Sequence, residues 1–89
     1  MEDKQFDEPV HAQLKPGKIR AVTWTSQAAK ALLYEWPDKR GRRHRTARQA
    51  CLDVMSGLKD ARAARRAFTA AAEEADILVP IEHVVNRHR

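Results

Sequence analysis

The residues of this chain that are best suited to bind a ligand form one basic stretch between positions 39 and 48. Guanidinium and ammonium groups bind phosphates and carboxylates, so a polyanion is the natural ligand for such a stretch. The formal net charge of the 89-residue chain is +5, and without the six basic side chains of this stretch it is −1. The basic character of the protein is therefore local. These six residues, here called the basic cluster, are Lys39, Arg40, Arg42, Arg43, Arg45 and Arg48.

Three interpretations of the basic cluster remain open from the sequence. The cluster is a solvated surface loop, or it faces acidic groups of a protein partner or of this chain, or it binds nucleic acid. Neutralising four to six phosphates of a duplex would give a log–log salt slope of about −4 to −5. No aromatic residue lies between positions 39 and 48 to stack on a base, and we expect Trp36 in the core. A helix-turn-helix is not favoured, because Asp53 stands where that motif has a small apolar residue.

The remaining reactive side chains do not have the spacing of a catalytic or metal site. The four histidines, which we expect to be exposed, have no Cys or acid at a metal-ligand interval. Cys51 falls in an apolar helical stripe, which favours a small buried hydrophobe over a reactive thiol. There is no nucleophile elbow and no glycine-rich phosphate loop. We therefore expect no catalytic, cofactor-binding or metal-binding residues, and a protein that is not an enzyme.

The composition also bears on the compartment. The first residues are acidic and lead into no apolar segment, so we expect no secretory signal. No run approaches the roughly 18 apolar residues of a membrane span. A single cysteine cannot form an internal disulfide and fits a reducing environment. The sequence thus favours a cytoplasmic protein.

The elements that position the cluster begin with a predicted β-hairpin. Apolar and polar residues alternate from Val10 to Leu14 and again from Ile19 to Thr23. Pro16-Gly17 between them suits a type II turn, since proline presets φ and glycine tolerates a positive φ. Because type II is not the favoured two-residue hairpin turn, we also expect a longer loop or a bulge.

Three helices are predicted to follow the hairpin. The first has Thr25 as its N-cap and ends near Trp36, because Pro37 excludes the helical conformation at the residue before it. Its inward face is predicted as Ala29, Leu32, Leu33 and Trp36.

The second and third helices have clearer apolar stripes. The second starts between Arg42 and Thr46 and is closed by Gly57. Asp60 is the predicted N-cap of the third, which runs from about Ala61 to Ala75. The inward-facing residues are Ala47, Ala50, Cys51, Val54 and Met55 on the second helix, and Ala64, Phe68, Ala71, Ala72 and Ala75 on the third.

A third strand is predicted at Ile77-Leu78-Val79, which is branched, apolar and ended by Pro80. The predicted fold class is α+β, a small two-layer β-β-α-α-α-β domain with a hairpin and a short third strand packed against three helices. We expect residues 1–8 to form a flexible acidic lead and residues 9–79 a single domain. Residues 80–89 are expected to form a C-terminal tail, either frayed or ordered on a partner, with Ile81, Val84 and Val85 available for contact.

An ordered series of motifs resembles the family of small bacterial proteins called domain of unknown function 982. The motifs are Phe6-Asp7-Glu8-Pro9-Val10; Ala28-Ala29, Leu32-Leu33 and Trp36-Pro37; Ala47, Ala50-Cys51 and Gly57; and Ala64-Arg65, Ala67-Phe68, Ala71-Ala72 and Glu74-Ala75, leading into Ile77 and Val79. Thr69 departs from the pattern where a branched apolar residue is expected, and Asp76 where glycine is expected. The resemblance implies a small α+β domain and no reaction.

The charges of the third helix suggest partners for the cluster inside the chain. Its arginines lie in its first half and its acids at its end, which opposes the helix dipole. A short connection after Gly57 predicts antiparallel second and third helices, which brings Glu73, Glu74 and Asp76 near the start of the second helix. Our hypothesis is that these acids neutralise about half of the cluster.

Two functions of different classes follow. The leading one is a non-enzymatic protein-interaction or regulatory module with a protein partner. The alternative is weak, sequence-independent nucleic-acid binding through the basic cluster. No membrane partner is expected, and a homodimer through an edge strand or residues 81–85 is compatible with a small sheet.

Overall fold

A two-stranded antiparallel hairpin forms one layer of the protein in the computed structural model, which describes residues 2–80. Strand β1 spans Gln5–Lys15 and strand β2 spans Lys18–Trp24. Gly17 has a φ of 75°, as the third position of a type II turn requires. The register shifts between Ala12 and Lys15, where β1 has one more residue than β2. The predicted hairpin and the irregularity next to its turn are confirmed.

Three helical segments form the second layer. Helix α1 spans Thr25–Lys30 and continues directly as a π-helix over Ala31–Glu35. Helix α2 spans Arg42–Met55, and helix α3 spans Ala61–Glu74. The carboxylate of Asp60 accepts a hydrogen bond from the Arg62 N–H at 3.1 Å, which confirms the predicted cap of α3.

The core lies between the hairpin and the helices. Its largest fully buried side chains are Phe68, Leu32, Val22 and Val54. The predicted stripe of α3 is buried throughout, and that of α2 is buried except for the partly exposed Met55. Alanines make up much of both stripes, so α2 and α3 pack with their backbones close together. The predicted α+β class is confirmed.

The described part of the predicted flexible lead, residues 2–8, is instead ordered, because it has partners in the core and on α1. Strand β1 begins at Gln5, and Phe6 is 5% exposed within the core. The Asp3 carboxylate accepts a hydrogen bond from the Ser26 N–H at 2.8 Å, at the start of α1. The expectation of a lead without structure is wrong for these residues, since an apolar side chain and a helix-capping carboxylate hold them.

The first helix ends where predicted, with Trp36 as the C-cap of its π-helical part, but it departs from the prediction at its start and in the face that it buries. Thr25 is its first helical residue rather than its cap, and the buried Thr25 hydroxyl donates to the Lys4 carbonyl at 2.7 Å. The π-helix has a wider turn than an α-helix, so the inward face shifts along its second half. Ala31 and Leu32 are buried there, whereas Leu33, predicted to face inward, is 46% exposed.

The predicted third strand is not confirmed. Leu78 forms an isolated antiparallel bridge with Ala12. The Gln13 N–H donates to the Ile77 carbonyl at 2.8 Å, and the Val79 N–H donates to the His11 carbonyl at 2.9 Å. The segment therefore lies along β1 for three residues, and the sheet of the described chain has two strands. The predictions for residues 81–89, the greater part of the expected tail, lie outside the described residues.

Candidate functional site

An open groove of about 560 Å³ lies between the first helical segment and α2. Its apolar surface comes from Ala29 and Leu33 on one wall and from Leu52 and Met55 on the other. Polar side chains of α2 complete the lining: Arg45, Thr46, Arg48 and Gln49. The groove thus combines an apolar surface with two members of the basic cluster.

The groove has an apolar surface because two leucine side chains are exposed to solvent. Leu33 is 46% exposed, and Leu52, on the outer face of α2, is 43% exposed. Leu33 is turned outward in the π-helical stretch, where Leu32 points into the core. The sequence pattern predicts the opposite for Leu33, so sequence reasoning missed the groove.

The basic cluster surrounds the beginning of α2. Lys39 and Arg40 belong to the connection that precedes the helix, and the other four arginines lie in its first two turns. All six side chains are exposed, and within residues 2–80 none of them forms a side-chain ion pair. Arg45 and Arg48 line the groove and the other four do not. In this part of the chain the cluster is therefore an exposed basic surface without ion pairs, and it continues into the groove.

Glu74 contacts the start of α2, as the charge hypothesis anticipates, but its partners differ. Its carboxylate accepts hydrogen bonds from the backbone N–H groups of Arg43 at 3.3 Å and His44 at 3.4 Å. Glu73 and Asp76 are exposed, and neither forms an ion pair with the cluster in the described chain. Side-chain pairing with the arginines, as the hypothesis proposes, is therefore not what the structure shows. The Glu74 carboxylate is bound instead by backbone N–H groups at the start of α2, which have no partner within the helix.

Removing this carboxylate should destabilise the protein. We expect Glu74→Ala to lower the free energy of unfolding by about 0.5–2 kcal/mol, the usual cost of losing a helix cap. Gly41→Ala should act in the same direction, since a Cβ at Gly41 would lie 2.7 Å from Glu74 Oε2 and displace it. Urea denaturation measures both effects. Glu73→Ala is the matched control, and an equal loss in this variant would contradict a capping role for Glu74.

His44 is buried, against the expectation that the histidines are exposed. It is 4% exposed, and its Nε2 donates a hydrogen bond to the Leu32 carbonyl at 2.7 Å. Its ring lies 5.6 Å from that of Trp36, centroid to centroid. His44 precedes Ala47 by three residues and Cys51 by seven, so the stripe of α2 extended by one turn would have identified it as an inward position. Trp36 is in the core, as predicted.

Neither the cysteine nor a cluster of metal ligands forms a second candidate site among residues 2–80. Burial raises the pKa of Cys51 to about 12, so its thiolate is scarce at neutral pH. Within residues 2–80, no three His, Cys, Asp or Glu side chains lie together as metal ligands. No helix in the same part of the chain has the length and apolar character needed to cross a membrane.

A comparison with known families covers most of the described fold. The profile of the family described as "Protein of unknown function (DUF982)" matches residues 8–79. The chain belongs to the DUF982 family. The matched region begins in β1, contains the groove and the whole basic cluster, and ends in the segment bridged to β1. Comparisons with curated proteins and with solved structures returned no match.

Both departures from the DUF982 pattern are accommodated locally. The Thr69 hydroxyl donates to the Arg65 carbonyl at 2.8 Å, so this polar group is satisfied within α3. Asp76 follows α3 with a φ of 63°, the left-handed conformation that glycine would adopt at less cost. The expected end of α3 is therefore kept with aspartate in place of glycine.

Proposed function

We propose that this DUF982 protein is a non-enzymatic interaction module whose groove binds an acidic, partly apolar segment of a partner protein. One observation carries the proposal: an apolar groove in which two exposed leucines adjoin two arginines that form no ion pair with residues 2–80. Apolar groups grouped in one concavity mark binding sites more often than apolar groups scattered over a surface. Covering Leu33 and Leu52 would remove this apolar area from water and so favour binding.

The charge of the groove indicates the chemistry of its occupant. Arg45 and Arg48 are exposed and form no ion pair within residues 2–80, so acidic side chains would find free guanidinium groups there. Residues 81–89 of this chain carry Glu82 against Arg87 and Arg89, a net positive charge that does not complement the groove. The proposed occupant is therefore a segment of another protein.

The alternative function is weak nucleic-acid binding through the whole basic cluster. The exposure of all six basic side chains supports it. The apolar surface of the groove does not support nucleic-acid binding, because phosphate groups form no favourable contacts with Leu33, Leu52 or Met55. Protein binding accounts for both the leucines and the arginines and is preferred for that reason.

Site-specific cross-linking tests the proposal. A photo-reactive amino acid replaces Leu52 in one variant and Leu58 in a control, in cells that produce the protein. Leu58 is 74% exposed and lies outside the groove. We expect a protein cross-linked at position 52 and not at position 58, with its attachment point in a segment that contains acidic and apolar residues.

The identified partner is then purified and its affinity measured. Leu52→Asp places a carboxylate on the apolar surface and should weaken binding by at least about tenfold, the effect of a central interface residue, whereas Leu58→Asp should leave it unchanged. Equal cross-linking at both positions, cross-links only to nucleic acid or to a second copy, or full affinity of Leu52→Asp would each refute the proposal.

A further inference from the structure

We propose that the segment bound in the groove is a short amphipathic helix, with acids over Arg45 and Arg48 at one end and apolar residues over Leu52 and Met55 at the other. This inference rests on the proposed function and specifies the partner of the same site. Two features of the groove carry it: the hydrogen bonding of its walls and the order of side chains along α2.

The walls favour a helical occupant. Both walls are helical, so their backbone N–H and C=O groups are bonded within the helices, and no strand edge of residues 2–80 lines the groove. An extended segment lying there would find no backbone partners for those of its N–H and C=O groups that face the walls. A helix satisfies these groups internally and presents one apolar face, which is the usual way that a groove between helices binds a peptide.

The groove-lining side chains of α2 change from basic to apolar along the helix. Arg45 and Arg48 lie in its first half, and Leu52 and Met55 lie in its second. At 1.5 Å per residue, the distance along the helix from position 45 to position 55 is about 15 Å, or close to three turns of a bound helix. One turn of the occupant would therefore face arginine, and the next two would face leucine and methionine.

Acids of the occupant are disfavoured at the apolar end. Among residues 2–80, the only basic side chains that line the groove are those of Arg45 and Arg48. A helix with its acids at one end fits this distribution, whereas a helix with acids spread along its length would bring carboxylates next to leucine.

The test uses two synthetic helical peptides of about 14 residues, or four turns, with identical composition. Both are stapled on the outer face to equalise their helicity. In the segregated peptide, glutamates occupy the groove-facing positions of one end and leucines those of the other. In the interspersed peptide, the same glutamates and leucines alternate along the groove-facing positions. Affinity for the full chain is measured by fluorescence anisotropy, and the site is located by amide chemical shifts.

We expect the segregated peptide to bind at least about tenfold more tightly, with shifts at Leu33 and Leu52. The double variant Arg45→Gln/Arg48→Gln should abolish the difference between the peptides. The matched control Arg62→Gln/Arg66→Gln, which removes two exposed arginines of α3, should preserve it.

Three results would overturn the inference: equal affinities, no binding of either peptide, or equally tight binding of a proline-containing analogue that cannot form a helix. In each case the cross-link from position 52 to a partner would still stand if the groove binds protein in another form. Loss of that cross-link would instead refute the proposed function, so the two failures are distinguishable.

Discussion

Replacing Phe68 with alanine is expected to lower the free energy of unfolding by about 3–5 kcal/mol, the usual cost of truncating a buried phenylalanine. Phe68 is fully buried and meets Trp36 edge to face, with ring centroids 5.5 Å apart. The other buried residues of α3 are alanines, so no large side chain of that helix can fill the cavity. A small domain has a total stability of about 5–15 kcal/mol, so the loss would remove much of it.

Urea denaturation monitored by tryptophan fluorescence measures this loss. Phe68→Leu, which leaves a smaller cavity, should cost less and keeps the test usable if the alanine variant does not fold. Leu58→Ala is the control, because Leu58 is largely exposed. A loss below about 1 kcal/mol in Phe68→Ala would contradict the central position given to this ring.

His44→Ala should lower the free energy of unfolding by about 2–4 kcal/mol. The variant loses the packing of the ring against Trp36 and leaves the Leu32 carbonyl without its side-chain donor. This carbonyl belongs to the π-helical stretch, and the Nε2–H of His44 is its side-chain partner at 2.7 Å. Truncating His44 therefore loosens the contact between the first helical segment and α2.

The same denaturation measurement tests His44, with Thr46→Ala as the control. Thr46 is exposed on the same helix, and alanine there should change stability by less than about 0.5 kcal/mol. If both variants lost the same small amount, His44 would have no special part in joining the two segments.

Features that depend on local pattern could be predicted from the sequence. Pro16-Gly17 indicates the hairpin turn, and Asp60 indicates the start of α3, because in both cases the determining residues are adjacent in the chain. The stripes of α2 and α3 could also be predicted, since periodic burial appears directly in the positions of alanine and phenylalanine.

Features set by contacts distant in sequence could not be predicted. Phe6 looks like part of an acidic lead until the helical layer that buries it is in place. Leu33 is apolar and has the spacing of an inward position on an α-helix. The π-helical turn changes which side chains face the core, and Leu33 faces solvent instead. The groove depends on this shift, so no inspection of single segments would have found it.

The charge hypothesis shows where such reasoning stops. The antiparallel arrangement of α2 and α3 correctly predicts that Glu74 lies near the start of α2. It does not predict which groups meet there. The backbone N–H groups of a helix terminus are already fixed in place, whereas arginine side chains lose conformational entropy when they form an ion pair. The Glu74 carboxylate is therefore bound by the backbone donors.

The placement of β1 has a consequence for how the protein is made. Phe6 and Val10 leave the ribosome before α3 and Leu78, yet β1 packs on α3 and bridges to Leu78. The core cannot close before α3 has been translated, so apolar side chains of the first strand stay exposed until then. Nascent chains truncated before α3 are therefore expected to need a chaperone that the finished protein does not.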